Sequence, residues 1–138
     1  MRDRLLACAL SLSSVALGCG GATGQFHAEG ARLKAWTLQP DMCLSALRNG
    51  LIGVDLYRRD EREDTELVIA APGLVLARVP GEDHMIAFTK EDCRVLDYDM
   101  HANGVRVNGV PGVEGHVTLE CERASVGRVS GSASFTCY

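Results

Sequence analysis

Short runs of alternating apolar and polar residues fill the chain from about Ala31 onward. That period of two predicts β-strands, and long helical periodicity is scarce. Val117, Leu119 and Cys121 alternate with Thr118, Glu120 and Glu122, and Ala133, Phe135 and Cys137 alternate with Ser132, Ser134 and Thr136. Alternate side chains of a strand share a face. Cys121 and Cys137 are therefore expected on the core side. Asn-Gly dipeptides at 49–50, 103–104 and 108–109 suit positive φ and mark tight turns. Pro-Gly at 72–73, 80–81 and 111–112 adds three more breaks. The pattern predicts strands over 32–38, 51–58, 65–71, 74–79, 84–89, 94–101, 104–107, 116–123 and 128–137. One short helix is predicted over 41–48, with Asp41 as N-cap and Gly50 near the C′ position.

The first residues follow a different plan. Arg2 and Arg4 precede an apolar stretch over 5–17 that ends in small residues. This is the order of a secretory signal. The stretch falls short of the roughly 20 residues of a membrane-spanning helix. The ending Val15-Ala16-Leu17-Gly18-Cys19 resembles the lipobox of bacterial lipoproteins, with Ala16 where Leu is commonest. The resemblance implies cleavage before Cys19 and acylation of that cysteine. Gly20, a non-aspartate after it, implies outer-membrane sorting. Residues 1–18 are thus expected to be a signal peptide, 19–30 a lipidated cysteine with a flexible tether carrying His27, and 31–138 a single domain.

Removal of residues 1–18 leaves 120 residues with 12 basic and 17 acidic side chains. That length suffices for one domain with a real core. The acidic balance of the whole surface argues against nucleic acid or anionic lipid headgroups as partners, because both reward clustered Lys and Arg. The charged run 58–64 mixes both signs and reads as a solvated hairpin loop, with a docking loop as the alternative. Of six cysteines, Cys8 lies in the signal and Cys19 in the lipobox. Cys43, Cys93, Cys121 and Cys137 remain, an even set in an exported chain, which predicts two disulfides. No Cys-x-x-Cys pair points to zinc. Four cysteines allow three pairings, and the sequence does not choose among them. The expectation taken forward is Cys43–Cys93 with Cys121–Cys137. The expected fold is all-β, a small antiparallel β-sandwich or barrel-like domain stapled by these bonds.

Three segments carry a second resemblance: Arg48-Asn-Gly-Leu-Ile-Gly-Val-Asp-Leu-Tyr-Arg58, Glu91-Asp92-Cys93, and Gly127-Arg-Val-Ser-Gly-Ser-Ala-Ser-Phe-Thr-Cys137. Together they resemble a group of small uncharacterised bacterial lipoproteins, and the resemblance implies no activity.

Candidate chemistry is sparse. Asp97, Asp99 and His101 fall at i, i+2 and i+4 and so project from one face of a strand. With His84 or His116 they could hold a divalent ion or work as acid and base. Equally, they are the wet side of a strand whose other side is Leu96, Tyr98 and Met100. The serine-rich stretch 130–134 lacks the Gly-x-Ser-x-Gly of a strained nucleophile turn. Glu114, Glu120 and Glu122 offer carboxylates without a specific pattern. Trp36 is expected to pack at the core or domain edge rather than to stack a ligand. The expected protein is a lipid-anchored, non-enzymatic binding or structural module of the envelope. It needs no cofactor and meets the membrane through its lipid and an envelope protein through its surface. The alternative is the metal-binding or hydrolytic site on Asp97, Asp99 and His101.

Overall fold

A computed structural model of the chain describes residues 21–45, 52–107 and 109–137, with Val107 described by its backbone alone. Ten strands form two antiparallel five-stranded sheets that pack face to face and do not close into a barrel. In chain order the strands are β1 (Gly21–Glu29), β2 (Trp36–Leu38), β3 (Met42–Ser45), β4 (Gly53–Tyr57), β5 (Glu66–Ala70), β6 (Leu74–Arg78), β7 (Met85–Thr89), β8 (Cys93–Val107), β9 (Val110–Arg123) and β10 (Gly127–Cys137). Sheet A has the order β2-β1-β10-β9-β8, and sheet B runs β3 to β7 in sequence. A single 3₁₀ turn, Lys90–Asp92, links them.

The core lies between the sheets. Phe26, Val117, Leu119, Val129, Ala133 and Phe135 of sheet A meet Val54, Leu56, Leu67, Ile69, Val75 and Phe88 of sheet B. All twelve are buried, which removes their apolar surface from water. The alternation expected in β9 and β10 places these residues inward and their polar neighbours outward. Trp36 is buried as expected, and its Nε1 donates to the Arg78 carbonyl at 3.1 Å. That bond ties β2 of one sheet to β6 of the other.

Several expectations are corrected. Residues 21–29 are not a tether. They form β1, paired with β10 from Gly21↔Thr136 to Glu29↔Arg128. Their alternation of Ala22, Phe26 and Ala28 against polar residues fits a strand, but the glycines at 20, 21 and 24 mask it. The strand expected at 32–38 shrinks to β2, because the backbone turns through Lys34 at φ 63°. The helix expected over 41–48 is strand β3 at Met42–Ser45, paired with β4 and turning Cys43 inward. Residues 46–48 of that span lie outside the described residues, as does the turn expected at Asn49-Gly50.

Two turn signals prove to be strand irregularities. Asn103-Gly104 does not separate two strands. It is a bulge within β8, where the register shifts between Ala102 and Arg106. The Asn103 side chain caps the bulge by accepting from the Val105 amide at 3.0 Å. Pro111-Gly112 likewise lies inside β9. A Cβ on Gly112 would stand 2.6 Å from Asn103 Oδ1, so glycine is required by close approach rather than by a turn. At the third Asn-Gly, Val107 pairs with Val110 and Gly109 stands at φ 79°, as a tight hairpin requires, while Asn108 lies outside the described residues.

Both disulfides exist, with a different pairing: Cys43–Cys137 and Cys93–Cys121. The expected Cys43–Cys93 and Cys121–Cys137 bonds are excluded by topology. Cys93 stands opposite Cys121 in the β8–β9 register, whereas Cys137 stands opposite Val113 at the far end of the same sheet. Cys43 reaches Cys137 because β3 starts where β1 begins and β10 ends. A Cβ on Gly21 would lie 3.5 Å from the Asp41 carbonyl.

Candidate functional sites on the two outer faces

The outer face of sheet A is polar on every strand. Thr23, Gln25, His27, Ser130, Ser132, Ser134, Thr118 and His116 cover its centre. Asp97, Asp99 and His101 extend it onto β8, with Leu96, Tyr98 and Met100 packed on the core side as expected. The register aligns Asp99 with His116, His101 with Glu114, and Asp97 with Thr118. His101 therefore sits between two carboxylates, its Nδ1 3.5 Å from Asp99 and its Nε2 3.3 Å from Glu114. Asp41, Asp99, His101, Glu114 and His116 line one hollow of about 590 Å³.

The sequence-predicted set is thus brought together only in part. Asp99, His101 and His116 converge, and Glu114 joins them. Asp97 lies one row away. His84 is remote, in the turn after β6, with its Nε2 2.9 Å from Glu82. Among the described residues no group of three His, Cys, Asp or Glu side chains has the geometry to hold a metal ion. His101 and its two carboxylate neighbours are 42–66 % exposed, so water screens their attraction. His27, expected in the tether, stands instead on β1 and shares a hydrogen bond of 2.8 Å with Thr37. It lines a second groove of about 910 Å³ with Trp36, Arg94, Glu120 and Arg128. Two ion pairs, Arg94–Glu120 and Arg128–Glu29, border that groove.

The outer face of sheet B is of the opposite kind. Its middle row crosses all five strands as Leu44, Asp55, Val68, Leu76 and Ala87. A neighbouring row brings Gly53, Ala70, Leu74 and Thr89 together. Leu44 is 38 % exposed and Leu74 37 %. The strands read as near-continuous apolar runs, Glu66-Leu-Val-Ile-Ala70 and Leu74-Val-Leu-Ala-Arg78.

Within this apolar face lies a charge network that sequence reasoning missed. The β4–β5 loop is the hairpin loop expected from residues 58–64, but Arg62 folds back from it onto the sheet. Its Nη2 bonds Asp55 at 2.8 Å, its Nε bonds Glu66 at 3.2 Å, and its guanidinium covers the Tyr57 ring. Arg78 pairs with Glu66 from the other side. Glu66 is only 3 % exposed. The available signal was a lone charge inside or at the end of each apolar run: Asp55 in Gly-Val-Asp-Leu-Tyr, Glu66 at the head of β5 and Arg78 at the foot of β6.

Burial pushes the Asp55 carboxyl up to about 7. The neighbouring Glu66 carboxylate adds to the shift, and Arg62 opposes it. Burial also pushes Glu66 up, but its neighbours Asp55, Arg78 and Arg62 outweigh it and hold Glu66 below its ordinary value. The pair thus keeps one proton, on Asp55. The stabilisation from Asp55 is complete below its unfolded pKa of 3.8 and is lost as pH rises through about 7. That from Glu66 is complete above 4.5 and is lost as pH falls. Unfolding free energy is expected to fall by about 2 kcal/mol between pH 5 and 8, after allowance for solvent screening. In Asp55→Asn this fall should vanish. Urea titrations of both proteins across that range measure it, and parallel curves would refute the assignment.

The fold and its two bonds define a disulfide-linked β-sandwich. No family model matches the chain, and no curated protein or solved structure is significantly similar to it.

Proposed function

We propose that the protein is an exported, lipid-anchored binding module of the bacterial envelope, with Cys19 as the acylated residue and the outer face of sheet B as the binding surface. One observation carries the reading. Sheet A turns a wholly polar centre to water, whereas sheet B presents Leu44, Val68, Leu74 and Leu76 on the equivalent face. An apolar patch rimmed by polar groups is the usual mark of a protein-interaction site. Two disulfides agree with an oxidising compartment. The Asp55–Arg62–Glu66–Arg78 network borders the patch at one end, its charges already paired with one another.

A hydrolytic or metal role for Asp97, Asp99 and His101 keeps Asp99, His101 and His116 and gains Glu114, but loses Asp97 and His84. It ranks second on that ground.

A photoreactive phenylalanine in place of Leu76, compared with one in place of Thr118, tests the binding reading in intact cells. Position 76 is expected to give a discrete envelope-protein adduct at yields at least about tenfold above position 118, the ratio that 1.4 kcal/mol of preference produces. Equal or absent labelling at the two positions would defeat the proposal.

A further inference from the structure

We propose that the β8–β9 hairpin, residues 102–113, is a second membrane contact whose tip enters the headgroup region of the bilayer. The inference rests on the lipid-anchor reading of Cys19 and adds to it a face and an orientation.

Covalent reach supplies the first support. β1 begins at Gly21, only two residues after Cys19. Two residues span at most about 7 Å. The acyl chains of Cys19 would therefore hold the sandwich against the bilayer, with no tether to lift it away.

Strand direction supplies the second. Gly21, Thr136, Glu114 and His101 form one row across sheet A. β1 starts at that row. β9 extends past it toward Val110, and β8 toward Val107. Both therefore project from the end of the sheet at which β1 starts, two residues after Cys19. The step from Glu114 to Val110 is about 13 Å at 3.3 Å per strand residue, so the hairpin extends past the anchor's reach. β10 ends at Cys137, opposite Val113, so the hairpin stands clear of it.

Composition supplies the third. The hairpin reads Ala102-Asn-Gly-Val-Arg-Val-Asn-Gly-Val-Pro-Gly-Val113. It holds no acidic residue, although the chain has 18. Its one charge is Arg106, exposed at the tip, where Nη1 donates to the Gly109 carbonyl at 3.1 Å. Val110 is 46 % exposed, more than any other large hydrophobic residue described. An arginine beside exposed valine on an otherwise uncharged tip suits anionic headgroups above an acyl boundary. The opposite end of the same strands offers Arg123, Ala124 and Ser125 instead, and its turn carries no exposed large apolar side chain.

The test uses the full chain purified from membranes of its host. Intact mass comes first and establishes whether Cys19 is acylated. The protein is then placed in vesicles of phosphatidylethanolamine and phosphatidylglycerol that contain a phospholipid with a photoreactive headgroup, and adducts are mapped by peptide mass. Adducts are expected to concentrate in 106–111, at least tenfold above the 123–127 turn, and to fall several-fold in Val110→Asp. An acylated protein with adducts spread evenly, centred on 123–127 or unchanged by Val110→Asp would overturn the hairpin contact and leave the anchor standing. A mass without acyl groups would overturn both.

Discussion

Replacing Cys43 and Cys137 together by alanine is expected to lower unfolding free energy by about 4.7 kcal/mol, the chain-entropy value for a loop of this length. The two cysteines are 94 residues apart, so their bond closes nearly the whole domain. It also joins the sheets, linking edge strand β3 of sheet B to β10 in the middle of sheet A. No backbone ladder connects those two strands, so the bond has no substitute. The same replacement at Cys93 and Cys121, 28 residues apart, should cost about 3.6 kcal/mol by the same relation. That bond links neighbours already paired in one sheet. A domain of this size has on the order of 5–15 kcal/mol in all, so the first loss removes much of it. Urea unfolding of the two double variants measures the difference. A non-reducing peptide map that returned Cys43 with Cys93, or a larger loss from the 93–121 pair, would contradict the topology.

The pairing also shows where sequence reasoning ran out. Alternation placed Cys121 and Cys137 inward, and both are inward. It could not place them at opposite ends of sheet A, because period two fixes a face and not a position along the strand. Strands β4 to β7 were legible for a related reason. Their apolar runs are short and closely bounded by turn residues, so face and end coincide with what the sequence displays. β1 was not legible, because Gly21 and Gly24 remove the side chains that would mark alternation. Gly24 is there for the partner strand: a Cβ on it would lie 2.2 Å from the Ser132 carbonyl. The candidate residues divide in the same way. Asp99 and His101 were readable as a strand face, and their meeting with Glu114 and His116 depended on a register that the turn at Gly109 and the bulge at Asn103-Gly104 set together. Asp55 and Glu66 were hidden because lone charges in apolar runs look like strand ends until the fold brings two of them together.

Gly115→Ala is expected to destabilise the domain by about 4 kcal/mol, combining backbone strain and overpacking that each cost about 1–3 kcal/mol. Gly115 has φ 151°, a region that L side chains rarely adopt. A Cβ there would stand 1.7 Å from the Asp99 carbonyl, a backbone atom that no side-chain rotation can move. Relief would require β8 to shift along or away from β9, and with it the row that holds Asp99, His101, Glu114 and His116. Gly81→Ala separates the two contributions. Gly81 also has positive φ, at 81°, but nothing lies within 4 Å of the added methyl. Its cost should be the conformational one alone, about 1–2 kcal/mol. Thermal unfolding of both variants gives the contrast. The hydrogen-exchange profile of Gly115→Ala should show faster exchange along β8 and β9, with β4 to β6 unchanged. Equal losses from the two substitutions would mean that β8 and β9 lie farther apart at this row than the structure places them. The hollow around His101 would then have to be redrawn, because its depth is set by how closely Gly115 lets the two strands approach.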